Sequence, residues 1–248
     1  MFGFKRGQAR KTPRGGKTMP DLVWDLHAHL IPGVDDGVTS IDDALESIRG
    51  LQALGYRGSV LTPHIYKGVY PNTRATLEPA LTALRVALAE AGVDYAIHMA
   101  AEYFADEHLI ELASREPLLS FGPPASPHVL LEYPYSVEPL LWADALSALV
   151  RAGYTPVLAH IERYRFVCDD PKLWLQRFAQ FGVKIQCNIG SLVGQYGRPA
   201  HDLARQLRDD GVPAFWGTDL HRPSQIEKFI KPGLTHLTDI GVLNAQLT

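Results

Sequence analysis

The sequence predicts an α/β protein in which parallel strands close into a barrel with helices outside. Three observations predict it. Seven short apolar runs alternate with six longer amphipathic stretches along the chain. Each run leaves a polar or metal-capable side chain at or just past its C-terminal end. The 248 residues, 46% of them hydrophobic, suffice to bury one sizeable core.

Each element can be justified in order. The first strand, residues 23–26, leads into His27 and His29. Side chains two apart share a strand face, so Asp25, His27 and His29 are expected in one inward column, with Asp25 either orienting a ligand histidine or serving as a buried structural carboxylate. Helix 41–54 follows, capped by Ser40 and stopped by Gly55. Strand 59–62 delivers His64, and helix 74–91 runs from an N-cap at Asn72 to Gly92. Strand 95–101 delivers Glu102 ahead of helix 106–115. Strand 129–133 carries Glu132 and precedes helix 138–152, which Gly153 ends. Strand 155–159 delivers His160, then come helix 171–181 and Gly182. Strand 183–187 delivers Asn188, followed by helix 199–210 and Gly211. Strand 214–217 delivers Asp219 and His221. Strand-then-helix units in series require parallel strands with crossovers. An open sheet concentrates its site at one switch point, whereas donors on every strand favour a barrel, whose C-terminal face carries the site.

His27, His29, His64, His160 and His221 supply five imidazoles, and Asp36, Glu102 and Asp219 three carboxylates. Eight N and O donors exceed one tetrahedral ion, so at least two metals bridged by a carboxylate are expected. A donor set without thiolate admits Zn, Mn or Fe(II). A lone histidine is more often structural, but five at successive strand ends are poorly explained by chance. His108, His201 and His236 read as surface residues and His128 as packing. His98 shares the Glu102 phase, lower in the barrel.

Charge and composition exclude other classes. The first 18 residues carry Lys5, Arg6, Arg10, Lys11, Arg14 and Lys17 and no acid, which leaves 18 basic against 27 acidic residues elsewhere. That acidic body argues against a nucleic-acid groove. Residues 1–20 read as a solvated basic leader, 21–230 as the barrel and 231–248 as an extension. No apolar run reaches the roughly 18 residues of a transmembrane segment, and the start lacks a secretory apolar core. Cys168 and Cys187 alone form no disulfide framework, which fits a reducing cytoplasm.

At this point a family resemblance can be read from the residues. Asp25-Leu-His-Ala-His-Leu-Ile-Pro-Gly-Val-Asp-Asp-Gly37 resembles the first motif of the polymerase-and-histidinol-phosphatase (PHP) superfamily. Thr62-Pro-His64, Ala101-Glu-Tyr103, His160-Ile-Glu-Arg-Tyr164 and Gly217-Thr-Asp-Leu-His221 resemble later motifs, in order, over residues 22–225. Within it, the chain resembles the bacterial exopolysaccharide-locus metal-dependent protein tyrosine phosphatases of the CpsB/YwqE type. The resemblance implies a distorted seven-stranded TIM-like (β/α)7 barrel, the PHP fold. It implies two or three divalent ions, manganese foremost and iron or zinc as alternatives. His27, His29, Glu102 and Asp219 would hold one ion. Glu102 would bridge to a second with His160, and Asp36, His64 and His221 would hold the third. Arg163 would contact the substrate phosphate, as a guanidinium fork suits. Its structural alternative is a salt bridge to Glu162 or Asp169. Two departures stand out. Ile161 takes the place of the proline usual in the fifth motif, and Arg222 follows the last histidine at once, a weaker phosphate contact.

Competing chemistries fail on sequence. Gly16-Lys-Thr18 lacks the glycine a nucleotide-binding loop needs at position 11. Cysteine-dependent phosphatases place Arg six residues after the nucleophile, where this chain has Trp174 and Val193. Gly190-Ser191 lacks the nucleophile-elbow pattern. The expectation is therefore metal-dependent hydrolysis of protein phosphotyrosine, the partner a bacterial tyrosine autokinase of polysaccharide export. Small phosphoesters such as histidinol phosphate are the enzymatic alternative, and a non-catalytic kinase-binding scaffold the non-enzymatic one.

Overall fold

The computed structural model describes residues 24–238. The expected leader, the first predicted strand residue Val23 and residues 239–248 of the expected extension lie outside them. The described chain is a curled sheet wrapped by helices, its named strands all paired in parallel. Strands β1 (Trp24–Ala28), β2 (Gly58–Leu61) and β4 (Ala96–Met99) pair in the order β1-β2-β4. Strands β3 (His64–Ile65), β5 (Glu102–Phe104), β6 (His128–Glu132), β7 (Thr155–Leu158), β8 (Lys184–Asn188) and β9 (Phe215–Gly217) pair in that order. Beyond β9, the Asp219 amide donates to the His27 carbonyl and the His29 amide to that of Leu220, both at 2.9 Å, so the first and last strands meet.

The structure describes nine strands where the sequence predicted seven. Two of the predicted strands are each followed by a further short strand, β3 beyond 59–62 and β5 beyond 95–101. Pro63, which has no amide to donate, separates β2 from β3, and Ala100–Ala101 separate β4 from β5. Hydrogen bonds run across both gaps, from Thr62 N to Ala28 O and from Ala100 N to Leu61 O at 2.9 Å each.

Helices α1 (Ile41–Ala53) and α2 (Arg74–Glu90) each bury one stripe, Ala44, Ser47, Ile48 and Leu51 on the first and Leu77, Leu81, Leu84 and Leu88 on the second. Ser40 caps α1 as predicted, its side chain accepting from Asp43 N. For α2 the cap is Thr73, not Asn72: Thr73 and Thr76 form a reciprocal capping box. The Asn72 amide is engaged elsewhere, donating to the Val34 and His64 carbonyls at 2.9 Å each. Helices α3 (Glu107–Arg115), α4 (Trp142–Arg151), α5 (Arg165–Asp169), α6 (Pro171–Ala179), α7 (Arg198–Asp209) and α8 (Lys231–Leu234) complete the layer. Helix α4 starts later than predicted, because Pro139 steers Glu138 away from helical backbone. Gly55, Gly92, Gly153, Gly182 and Gly211 end helices with positive φ, as their positions predicted.

Inside the sheet, Leu26, Val60, Ala100, Leu130, Val157 and Phe215 form an apolar floor. The polar residues next along the strands stand above it. The pairing of β1 with β2 slips between Asp25 and Ala28. That bulge breaks the two-residue alternation, so Leu26 and His27 both serve the interior. Asp25 leaves the expected column.

Candidate metal centre

Four side chains, from β1 and the residue just past it, from β5 and from the segment after β9, converge above the floor. His27 Nε2 lies 3.2 Å from His29 Nε2, 3.3 Å from Glu102 Oε2 and 3.3 Å from Asp219 Oδ1. His29 Nε2 lies 3.3 Å from Glu102 Oε2 and 3.5 Å from Asp219 Oδ1. A tetrahedron of N and O ligands about 2.0–2.1 Å from a central ion has edges of about 3.3–3.4 Å. Five measured edges match that size. Both histidine lone pairs are free to face the centre, because each opposite nitrogen is held from behind. His27 Nδ1 contacts Gln186 Oε1 at 3.1 Å, and His29 Nδ1 contacts Asp35 Oδ2 at 2.9 Å.

Two further groups adjoin this cage. Asp36 Oδ1 faces His64 Nε2 at 3.4 Å and His221 Nε2 at 3.5 Å, while the His221 Nδ1 sits 2.9 Å from the Asp219 carbonyl. His160 Nε2 lies 2.9 Å from Glu102 Oε1, a buried oxygen with no aligned hydrogen-bond donor. His64, Glu102 and Glu132 also bring one donor atom each within 4.8 Å of one another, as do His27, His160 and Asp219. The donor set, its spacing and the orphaned carboxylate oxygen fit divalent cations.

Electrostatics point the same way. Burial opposes protonation of His27 and His29, yet nearby carboxylates more than offset it and raise both pKa values. His64 is pushed up to about 10, because Glu102, Asp36 and Glu132 outweigh burial and the His29 charge. Burial likewise opposes ionisation of Glu102 and Asp219, but the surrounding imidazoles hold both well below the carboxylate range. Without cations this pocket of negative charge recruits protons.

Arg163 reaches the site from a single 3₁₀ turn, Ile161–Arg163, after β7. Its Nη1 donates to Asp219 Oδ2 at 3.0 Å, so the partner is neither Glu162 nor Asp169. Glu162 turns inward, its Oε1 accepting from Asn188 N at 2.9 Å and Ser191 Oγ at 2.6 Å. Asp36, His64, Glu102, His160, Arg163, Asp219, His221 and Arg222 share one cavity of about 240 Å³ with Tyr135, Tyr196 and Gln225. Arg222 stands exposed at its rim.

One site expectation is corrected. Asp25 does not orient a histidine ring; that partner of His27 is Gln186. Displaced by the bulge, Asp25 accepts from Thr218 N at 3.1 Å and Thr218 Oγ1 at 2.5 Å, anchoring the turn that presents Asp219. Sequence reasoning missed Asp35, Gln186, Tyr135 and Tyr196. Asp35 had a signal in the paired acids of Asp35-Asp36-Gly37, and Gln186 in sharing a strand phase with Asn188. His98 is exposed and meets Ser120 O at 3.0 Å, while His128 is buried and stacks on Phe121.

Residues 23–238 match the family described as capsular polysaccharide synthesis, CpsB/CapC. The chain belongs to the CpsB/CapC family. This family member is 28% identical over 197 residues to the tyrosine-protein phosphatase YwqE of Bacillus subtilis, covering 79% of this chain and 76% of YwqE. It is 30% identical over 150 residues to the tyrosine-protein phosphatase CpsB of Streptococcus pneumoniae, covering 60% of each. A crystal structure from work on YwqE and CpsB, described as unique metal-dependent tyrosine phosphatases, superposes with a TM-score of 0.74 at 26% identity. That match covers 86% of this chain and 85% of the other. The CpsB/CapC assignment agrees with the motifs read above, and the structural match agrees with a mixed α/β fold built on a curled parallel sheet.

Proposed function

We propose that this protein is a metal-dependent phosphomonoesterase that hydrolyses phosphotyrosine on protein, with a bacterial tyrosine autokinase of polysaccharide export as partner. The observation that carries this reading is a cation-sized cage sharing one small cavity with a guanidinium. The similarity to YwqE and CpsB supports it. The reading takes β2 with β3 and β4 with β5 as single staves, giving a seven-stave barrel over residues 21–230, and it places the protein in the cytoplasm. No helix among the described residues is long and apolar enough to cross a membrane.

In this reading His27, His29, Glu102 and Asp219 hold one ion. Glu102, with His160, serves a second, and Asp36, His64 and His221 a third. Manganese is the preferred metal, with iron or zinc as alternatives. Divalent ions in such a site make hydroxide accessible near neutral pH and neutralise phosphoryl charge. The chain's own residues do the rest. Arg163 binds the equatorial phosphate oxygens and orients the ester, and Arg222 at the rim adds a second positive charge. The apolar floor excludes water from below. A phenolate leaves readily, so the site needs no strong general acid.

The test combines metal removal with a substrate panel. Chelated protein should lose phosphotyrosyl-peptide hydrolysis and regain it with manganese. Full activity after chelation would refute the reading. A kcat/KM for histidinol phosphate above that for a phosphotyrosyl peptide would replace the protein substrate with a small one.

A further inference from the structure

We propose that Tyr135 and Tyr196 are positioning residues that clamp the Arg163 guanidinium and present its free edge to the phosphoester, a role that rests on the hydrolytic reading above. Arg163 Cζ lies 4.3 Å from the Tyr135 ring centroid and 4.2 Å from that of Tyr196. Two aromatic rings thus flank one guanidinium. A cation held over aromatic faces gains most where water is excluded, and here the arginine side chain is only 20% exposed.

The three residues come from consecutive loops. Tyr135 follows β6, Arg163 follows β7 and Tyr196 follows β8. Each ring is itself anchored. Tyr135 OH donates to Glu132 Oε2 at 3.0 Å, and the Arg165 amide donates to the Tyr135 carbonyl at 2.8 Å. Tyr196 OH donates to Asp219 Oδ2 at 3.2 Å and accepts from Asn188 Nδ2 at 3.2 Å. Gly194 and Gly197, at φ 83° and 86°, bracket Gln195 and Tyr196 in left-handed turns that side chains other than glycine rarely adopt. The turn is built to hold the ring where it is.

The clamp has a chemical consequence. The hydrogen bond to Asp219 engages Nη1 and leaves Nε and Nη2 for phosphate. An arginine on a mobile loop would lose that alignment between turnovers. Fixing the plane in advance removes this cost from the transition state, where the phosphoryl charge must be met. The rings therefore act on kcat more than on KM.

A coupling experiment in the manganese-loaded full-length protein tests this, with p-nitrophenyl phosphate as substrate. Tyr135→Leu and Tyr196→Leu should each lower kcat by about 10–100-fold with a smaller change in KM. The Phe variants, which keep the ring, should recover most of that loss. In an Arg163→Ala background the Leu substitutions should cost little further, because they act through the arginine. Leu variants with wild-type kcat would overturn the clamp, as would losses of equal size with and without Arg163. Metal loss in Tyr196→Leu would overturn the role of that ring, which would then act through Asp219. A second readout needs no turnover. With diamagnetic zinc in place of manganese, ring currents from two faces should shift the Arg163 Nε–H resonance upfield in the wild type, and Tyr135→Leu should move it back. An unshifted wild-type resonance would also overturn the clamp. Because this arm reads geometry alone, an inactive wild type with a shifted resonance would sink the hydrolytic reading and leave the clamp standing.

Discussion

His160, at φ 32°, and Asp219, at φ 51°, hold left-handed backbone, and they are the two non-glycine residues that do so among those described. Such conformations cost about 1–3 kcal/mol each and persist only where the surroundings enforce them. Here the enforcing contacts are the His160 amide on Gln186 Oε1 at 2.7 Å and the Asp219 amide on the His27 carbonyl at 2.9 Å. Strain is thus stored where donor atoms must be aimed. Arg163→Ala should lower kcat on phosphotyrosyl peptide by about 10²–10³-fold with metal content unchanged; undiminished turnover would remove Arg163 from the mechanism. Asp25 gives a pH test. Burial, partly countered by the Thr218 hydrogen bonds, raises its pKa from 3.8 to about 6. The folded state therefore holds this proton more tightly than the unfolded state, and the stabilising contribution is present below 3.8 and lost as pH rises through about 6. Relative to Asp25→Asn, metal-free wild type should lose about 3 kcal/mol of unfolding free energy across that range. Urea titrations at both ends would show it, and a pH-independent difference would contradict it.

The loops after the strands carry the site, and their order is written in helix caps and turn residues. Thr73→Ala removes one arm of the α2 capping box and should cost about 1 kcal/mol, or roughly 2–4 °C in Tm. Asn72→Ala should cost the site instead, since it unties the Val34 carbonyl, beside Asp35 and Asp36, from that of His64. Weaker metal retention with little change in Tm is the expected result by elemental analysis and thermal melts. The contrast shows what could be read in the chain. Element types, the glycine stops and the donor at each strand end follow from period and residue type, which are local. The bulge at Leu26 and the break at Ala100–Ala101 depend on pairing with a neighbouring strand, so no local pattern announces them. Gln186 behind His27 is 159 residues away, and Tyr135 looks in sequence like any loop aromatic.

At the scale of the whole molecule, the cage is a sink for positive charge. At pH 7 a metal-free His64 with a pKa of about 10 is protonated, and a metal ligand must be neutral. Metal uptake should therefore release protons, so affinity rises with pH. Calorimetry of manganese binding in buffers of different ionisation enthalpy should give a positive proton count, and a count of zero would contradict the charge assignment. Bound metal should also raise Tm, by mass action on the folded state.

The seam between β1 and the segment after β9 has a consequence for biogenesis. Donors that touch across it, His27 and Asp219, are the first and the last of the cage to leave the ribosome. A nascent chain carries this pair of imidazoles with no complete cage to put them in until Asp219 has been added. A message truncated ahead of Asp219 would yield a polypeptide with an incomplete cage, and the cage can close only once Asp219 has emerged.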